Sequence, residues 1–140
     1  MPEPGHWILN IRQGVRYAVN PASFAEASRL VAGREYTAYD AEFNLRRMVT
    51  TPTSYIYLSF PVLRNLEFIK AVDKGTLDIK VPLEGAFSAA DMFFDYTVAD
   101  YPQEVIQKYG NMSNWKNSVG TGAFMFSDYV PGGSVSFVRN

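Results

Sequence analysis

Two stretches of apolar–polar alternation, each folded back by a glycine-bearing turn, restrict this chain more than any other feature. Residues 65–72 (NLEFIKAV) alternate, with Leu66, Phe68 and Ala71 on the inward side. Asp73-Lys74-Gly75 turns the chain, and residues 76–83 (TLDIKVPL) alternate again, with Leu77, Ile79 and Val81 on one face. A period of two on both sides of a short glycine turn predicts a β-hairpin with one buried face. The C-terminal stretch repeats the pattern. Phe124 and Phe126 alternate, Pro131-Gly132-Gly133 turns, and Val135, Phe137 and Arg139 share a face of the return strand. Each hairpin needs a cover for its apolar side, and the rest of the sequence has to supply it.

The covering elements read as helices. Residues 7–12 (WILNIR) form a half-buried strand with Trp7, Leu9 and Ile11 on one side, continued past Gly14 by residues 15–18. Residues 21–31 predict a short helix that presents Phe24, Ala27 and Leu30–Val31. Thr37 heads a second helix running to about Val49, with Ala41, Leu45 and Met48 at helical spacing. Thr37 and Asp40 have the spacing of a capping box, with Asp in place of the usual Glu. Pro52 and Pro61 bracket an aromatic segment, Tyr55-Ile56-Tyr57-Leu58-Ser59-Phe60, that shows no helical period. Residues 88–98 predict a helix capped by Ser88 with Asp91. Pro102 opens another as an N1 proline, and Gly110 ends it after Tyr109. Strands and helices in this mixed order, without a βαβ rhythm, predict an α+β fold: a small mixed or antiparallel sheet of hairpins packed with several helices. A length of 140 residues fits one domain.

Composition removes several function classes. Lys+Arg total 13 and Asp+Glu 14, so the charge balance offers nothing to a phosphate backbone and excludes nucleic acid as a partner. The chain has no Cys, which excludes disulfides, thiolate catalysis and Cys-based metal sites. No stretch approaches the roughly 20 apolar residues of a membrane span, and no basic segment followed by an apolar one opens the chain.

The residues that could carry chemistry are sparse. His6 is the sole His, with no second His or Cys to join it in a metal site. Asp91 and Asp95 stand at i and i+4 and would suit a small hydrolase if both faced a cleft 5–9 Å wide, on the order expected for paired carboxylates. A solvated helix face, with Asp91 favoured by the helix dipole, is the plainer account. Ser118 and Ser127 lack a His partner. Gly120-Thr121-Gly122 resembles a phosphate loop only superficially. No Lys follows, and the next segment is strand-like, so the glycines mark a tight turn or a close approach of another backbone. The aromatic segment is either core packing or a wall that touches a ligand or another domain, with Tyr55, Tyr57 and Phe60 as its candidate contacts. No catalytic constellation and no cofactor site emerges, which favours a binding or structural role.

Four motifs, in order, resemble the family 5 extracellular solute-binding proteins, the peptide, dipeptide and nickel receptors of ABC importers. WILNIRQGVRY is similar to the family's W-x-F-x-(I/L)-R-x-G-V strand. GREYTAYDAEFNLRRM is similar to its Thr-Ala-x-Asp helix start, with Ala41 in place of Val. AVDKGTLDIKVPL resembles its hairpin. VGTGAFMFSDYVPGGSVSFVRN resembles V-G-T-G-P-(F/Y) through to R-N, with Ala123 in place of Pro. Residues 17–33 look like an insertion between the first strand and the Thr-Ala-x-Asp helix.

The resemblance implies a subdomain of a periplasmic-binding-protein-like fold. Residues 1–140 would be the small N-proximal domain beside the first lobe of a longer receptor. The implied partners are the two large lobes of that receptor, its membrane permease, and a small-molecule or peptide solute, with a peptide the first expectation. The implied location is the periplasm or the extracellular face of the cytoplasmic membrane. Such a receptor closes around its solute by hinge motion and makes or breaks no bond, so no enzyme activity and no cofactor is implied. Thr37 and Asp40 would cap the helix, and Gly120 and Gly122 would hold the turn into the last hairpin. Arg139 and Asn140 would lie where the chain returns to the first lobe. Two other readings stand beside this one, a stand-alone interaction or scaffold domain and the small hydrolase.

Overall fold

A computed structural model describes residues 3–94 and 99–140. They fall into two compact units, each assembled from separate stretches of chain. The first comprises Met1–Arg12 and Thr37–Asp100, the second Gln13–Tyr36 and Tyr101–Asn140. Both are mixtures of helices with small antiparallel sheets, the α+β class that the alternation and helix signals imply.

The first unit is built on a three-stranded antiparallel sheet of order β1-β3-β2, with β1 at His6–Asn10, β2 at Phe68–Ala71 and β3 at Thr76–Lys80. Trp7 stands opposite Ile79 and Leu9 opposite Leu77 on one side of β3; Ile69 and Ala71 face the same two residues on the other. Leu77, Ile79 and the following Val81 are buried, as the alternation of 76–83 requires. In β2 the inward residues are Ile69 and Ala71, not Leu66 and Phe68; Phe68 faces out. NLEFIKAV carries apolar residues on both parities, so periodicity alone leaves its register open. Pairing with β3 decides it, because a one-residue slip exchanges the two faces.

Helix α2, Ala38–Thr50, packs against β2 and β3 and buries Ala41, Leu45 and Met48. Its first turn is closed locally: Asp40 Oδ2 accepts from the Thr37 N–H at 3.0 Å and from the Thr37 hydroxyl at 3.1 Å. It is also tied to the hairpin. The Ala38 N–H donates to the Lys74 carbonyl at 2.9 Å, while Ile11 N–H of the first segment donates to Gly75 O at 2.7 Å. Gly5 has a structural reason to be glycine: its φ is +79°, and a Cβ would sit 2.6 Å from the Val81 carbonyl.

In this unit two helix expectations change. The aromatic stretch is helical: α3 covers Tyr55–Ser59 and runs into a 3-10 turn at Pro61–Asn65. The bracketing prolines disguise a short helix because Pro61 occupies the first turn of the 3-10 segment, where its missing N–H costs nothing. Helix α4 spans Ala86–Phe94 after a 3-10 turn at Leu83–Gly85, so Ser88 lies within the helix and does not cap it. The helix expected over 88–98 extends past the described residues, and Asp95 lies outside them.

In the second unit, α1 covers Glu26–Val31 and α5 covers Gln103–Tyr109. Helix α1 starts later than the expected 21–31. The Asn20 side chain accepts the Ala22 N–H at 3.0 Å, and the Asn20 N–H donates to the Ser28 hydroxyl at 2.8 Å, which holds the approach as a turn. Pro102 sits one residue outside α5 as its N-cap. Residues 15–18 do not extend β1. Arg16 bridges to Glu35, and Tyr17 N–H donates to Arg34 O. Tyr17, Ala27, Val31, Val105 and Val119 form the core, with Tyr36, Tyr109 and Met112 against it. Arg34 clamps Glu104 with Nε and Nη2 while its guanidinium stacks 5.0 Å above the Tyr17 ring. The last hairpin pairs β4, Phe124–Tyr129, with β5, Val135–Arg139, and is irregular between Phe126 and Asp128.

Asp40→Ala leaves the Thr37 amide without its acceptor and is expected to cost about 1–2 kcal/mol, read as a lower thermal midpoint by calorimetry. A second expectation concerns acid. The Lys80 hydrogen bond, then its charge, hold the Glu3 carboxyl below the ordinary value of 4.5. A lowered folded-state pKa stabilises above the unfolded value, and that contribution is lost as pH falls through the folded one. Lys80→Gln should therefore flatten the decline of the thermal midpoint below pH 4.5; an unchanged slope would reject the link.

Candidate functional site

The geometry of α3 sets how the aromatic segment is presented. Ile56 is buried, and so is Leu63 in the following 3-10 turn; together they anchor the segment. Successive helical residues are about 100° apart, so Tyr55 and Tyr57 emerge on opposite edges of Ile56. The structure therefore divides the expected wall in two. Tyr55 is 54% exposed and meets the edge of Phe60, with ring centroids 6.5 Å apart and planes at 83°. Leu58, at 61% exposure, lies on the same short helix.

Tyr57 is occupied differently. The Arg64 guanidinium lies 4.0 Å from its ring centroid, and Arg64 Nε and Nη2 donate to the Tyr57 carbonyl at 2.9 and 2.6 Å. That carbonyl sits in the last turn of α3, where no helical N–H reaches it, so Arg64 caps the helix and covers one ring face at once. The sequence reading passes over Arg64, because a cation seven residues beyond an aromatic signals nothing until the intervening chain turns back as a helix.

The remaining candidates have local roles. His6 Nε2 lies 2.7 Å from Asp78 Oδ1, its ring is edge-on to Phe68 at 6.1 Å, and Glu3 lies 3.7 Å from Nδ1. Asp91 is exposed on α4. No group of three His, Cys, Asp or Glu residues is arranged to hold a metal among the described residues. Gly120-Thr121-Gly122 runs into β4 and not into a helix, as expected of a segment that is not a phosphate loop. The Gly120 carbonyl accepts the Ala18 N–H at 2.8 Å. Asn140 brackets the base of the hairpin: Nδ2 donates to Gly122 O at 2.9 Å and its N–H to Ala123 O at 2.9 Å, beside Arg139 opposite Phe124. A cavity of about 250 Å³ opens next to this base, walled by Phe124, Phe126 and Phe137 and floored by Asn20 and Ser28.

Among the described residues the geometry offers exposed aromatic and aliphatic surface for contact. The family profile of bacterial extracellular solute-binding proteins, family 5 (middle region), matches residues 5–140. The chain belongs to this family. No curated protein matches it.

Among solved structures, OppA of Haemophilus influenzae in complex with RPPGFSPFR is similar at 21% identity and a TM-score of 0.71, over 99% of this chain and 28% of that one. The periplasmic binding protein DppA of Helicobacter pylori, in complex with the peptide STSA, aligns at 18% identity and a TM-score of 0.73, over 100% and 28%. NikZ of Campylobacter jejuni, in complex with Ni(L-His), aligns at 16% and 0.68, over 99% and 25%. The likeness shows a shared fold, and the chain spans about a quarter of the length of these proteins.

Arg64→Ala uncovers the Tyr57 ring and leaves its carbonyl to water. An exposed cation–π contact is worth about 0.5–1 kcal/mol and the carbonyl hydrogen bonds a similar amount. A fall of a few degrees in thermal midpoint is expected, together with a changed tyrosine signal in near-ultraviolet circular dichroism.

Proposed function

We propose that this chain is one structural subdomain of the solute-binding component of an ABC import system, and that the solute is a peptide. Residues 1–140 are then the small domain beside the first lobe of the receptor. The two large lobes and the membrane permease are its partners, and the receptor works in the periplasm or at the extracellular face of the cytoplasmic membrane. Family membership supports the receptor role, and the peptides held by the OppA and DppA relatives favour a peptide over other solutes. Binding and hinge closure are the whole cycle, and the solute leaves unchanged.

The observation that carries a solute contact in this chain is the exposed edge of Tyr55 and Leu58, backed by the half-buried Phe60 and presented by a helix that Ile56 fixes from below. An aromatic ring of this kind gives a large contact area with few rotors to freeze, and it suits the apolar side chains and main chain of a peptide. Tyr55 and Phe60 are the proposed contacts. Tyr57 contributes mainly by holding Arg64 and the end of α3. In the receptor that carries this chain, Tyr55→Ala is expected to weaken peptide binding about three- to tenfold, on the order of 1 kcal/mol for one partly exposed aromatic contact. Calorimetric titration that finds the same affinity for Tyr55→Ala, Phe60→Ala and the unaltered receptor removes this edge from the solute site.

A further inference from the structure

We propose that the Glu42–Arg46 pair of α2 is an edge guard. It fills the hydrogen-bonding places that a neighbouring strand would take on β2, and so keeps β2 from pairing with β2 of a second copy of this chain. The inference stands on the first unit alone and does not depend on the solute reading.

The need for a guard follows from the sheet. Its order is β1-β3-β2, so β2 has a strand on one side only. The Val72 N–H donates to Thr76 O at 2.9 Å, which turns the main chain of that parity toward β3. Main-chain groups alternate in direction along a strand, so those of Ile69 and Ala71 point to the other edge. An edge with such groups free is a template for a further strand, and a second copy brings an identical edge that can pair with it about a two-fold axis.

The geometry of the pair matches that template. Glu42 and Arg46 stand at i and i+4 on one face of α2, and Arg46 Nε donates to Glu42 Oε1 at 2.8 Å. Glu42 Oε2 accepts the Ala71 N–H at 2.7 Å, and Arg46 Nη2 donates to the Ile69 carbonyl. A residue of a parallel neighbouring strand makes the same two bonds. Its N–H donates to one carbonyl, and its own carbonyl accepts the N–H two residues further on. Here the guanidinium stands in for the N–H, the carboxylate for the carbonyl, and Lys70 is the residue straddled.

The placement of charge supports the same role. The Glu42 side chain is 25% exposed and that of Arg46 53%, and an ion pair at this depth adds little to stability by itself. Both side chains nevertheless turn polar atoms onto β2, where an i,i+4 pair needs only its own two members. Lys70, exposed between the two bonds, adds a charge that an incoming strand would have to pass.

The test removes the guard in the receptor that carries this chain and reads its association. The Glu42→Ala/Arg46→Ala receptor, held about 10 °C below its own thermal midpoint, should dimerise with a Kd below about 100 µM in sedimentation velocity, at least about tenfold tighter than the unaltered receptor. Hydrogen exchange locates the interface. In dilute double variant the Ala71 amide should exchange at least about tenfold faster than in the unaltered receptor, and at dimerising concentration it should slow again. Glu42→Gln keeps an acceptor oxygen for Ala71 and should stay as monomeric as the unaltered receptor.

A folded double variant that stays monomeric would reduce the pair to a helix-to-sheet fastening and overturn the guard. A dimer in which the Ala71 amide stays fast would place the interface elsewhere, and a Glu42→Gln receptor that dimerises as tightly as the double variant would make charge, not the filled bonding places, the cause. Either result also overturns the proposal. If the double variant does not fold, Arg46→Ala carries the test: it opens Ile69 O alone, should dimerise more weakly with the same slowing at Ala71, and rejects the guard if it remains monomeric.

Discussion

The turn at Asp73-Lys74-Gly75 is the constraint on which the first unit depends. Asp73 Oδ1 takes the Gly75 N–H at 2.7 Å and closes the turn locally. The two carbonyls that remain face outward and are both used: Lys74 O accepts the first free amide of α2, and Gly75 O accepts the Ile11 amide just past β1. Three pieces of chain far apart in sequence meet on three consecutive residues. Because the turn is fixed by its own aspartate, the position of α2 over the sheet and the end of β1 follow from it. The same bonds explain why a Thr-Ala-x-Asp helix start and an Asp-x-Gly-Thr turn belong together: each supplies what the other leaves unsatisfied.

A comparable economy holds the second unit. Asn20 and Ser28 are both buried, and between them they satisfy the turn before α1, the Ala18 carbonyl and the Phe126 carbonyl of β4. Ala18 in turn gives its N–H to Gly120. One buried amide and one hydroxyl thus connect residues 18–28 to the start of the hairpin. The stretch 17–33 is bound into this unit and supplies part of its core. Tyr17, Ala27 and Val31 meet Val105 and Val119 there, and the Arg34–Glu104 pair locks the edge.

Strong local signals were legible in the sequence, and features set by pairing were not. The 76–83 alternation, the α2 stripe of Ala41, Leu45 and Met48, and the two hairpin turns all follow from local pattern. The faces of β2 did not, because Phe68 and Ile69 are both apolar and only the partner strand distinguishes them. The helix at Tyr55–Ser59 was hidden by its brevity and by the prolines, since five residues show barely more than one turn of periodicity. In the candidate site, the sequence picked out the aromatic residues but could not divide them, and Arg64 became meaningful only once the chain had folded back onto Tyr57.

The exposed apolar side chains show what the fold leaves unfinished. The cores of both units are closed, yet large rings and branched chains stand open on α3 and on both strands of the last hairpin. Scattered apolar residues are ordinary on a protein surface. A ribbon with Phe124, Val135, Phe137 and Val138 exposed and only two strands is different, because its edges can pair with any passing strand. Proteins blunt such edges with charge, proline or cover. Here β5 has a single charged residue, Arg139, at its end, and the proline lies in the turn. The α3 edge needs no such cover. Its rings are few, mounted on a short helix anchored by Ile56 and flanked by the capping arginine.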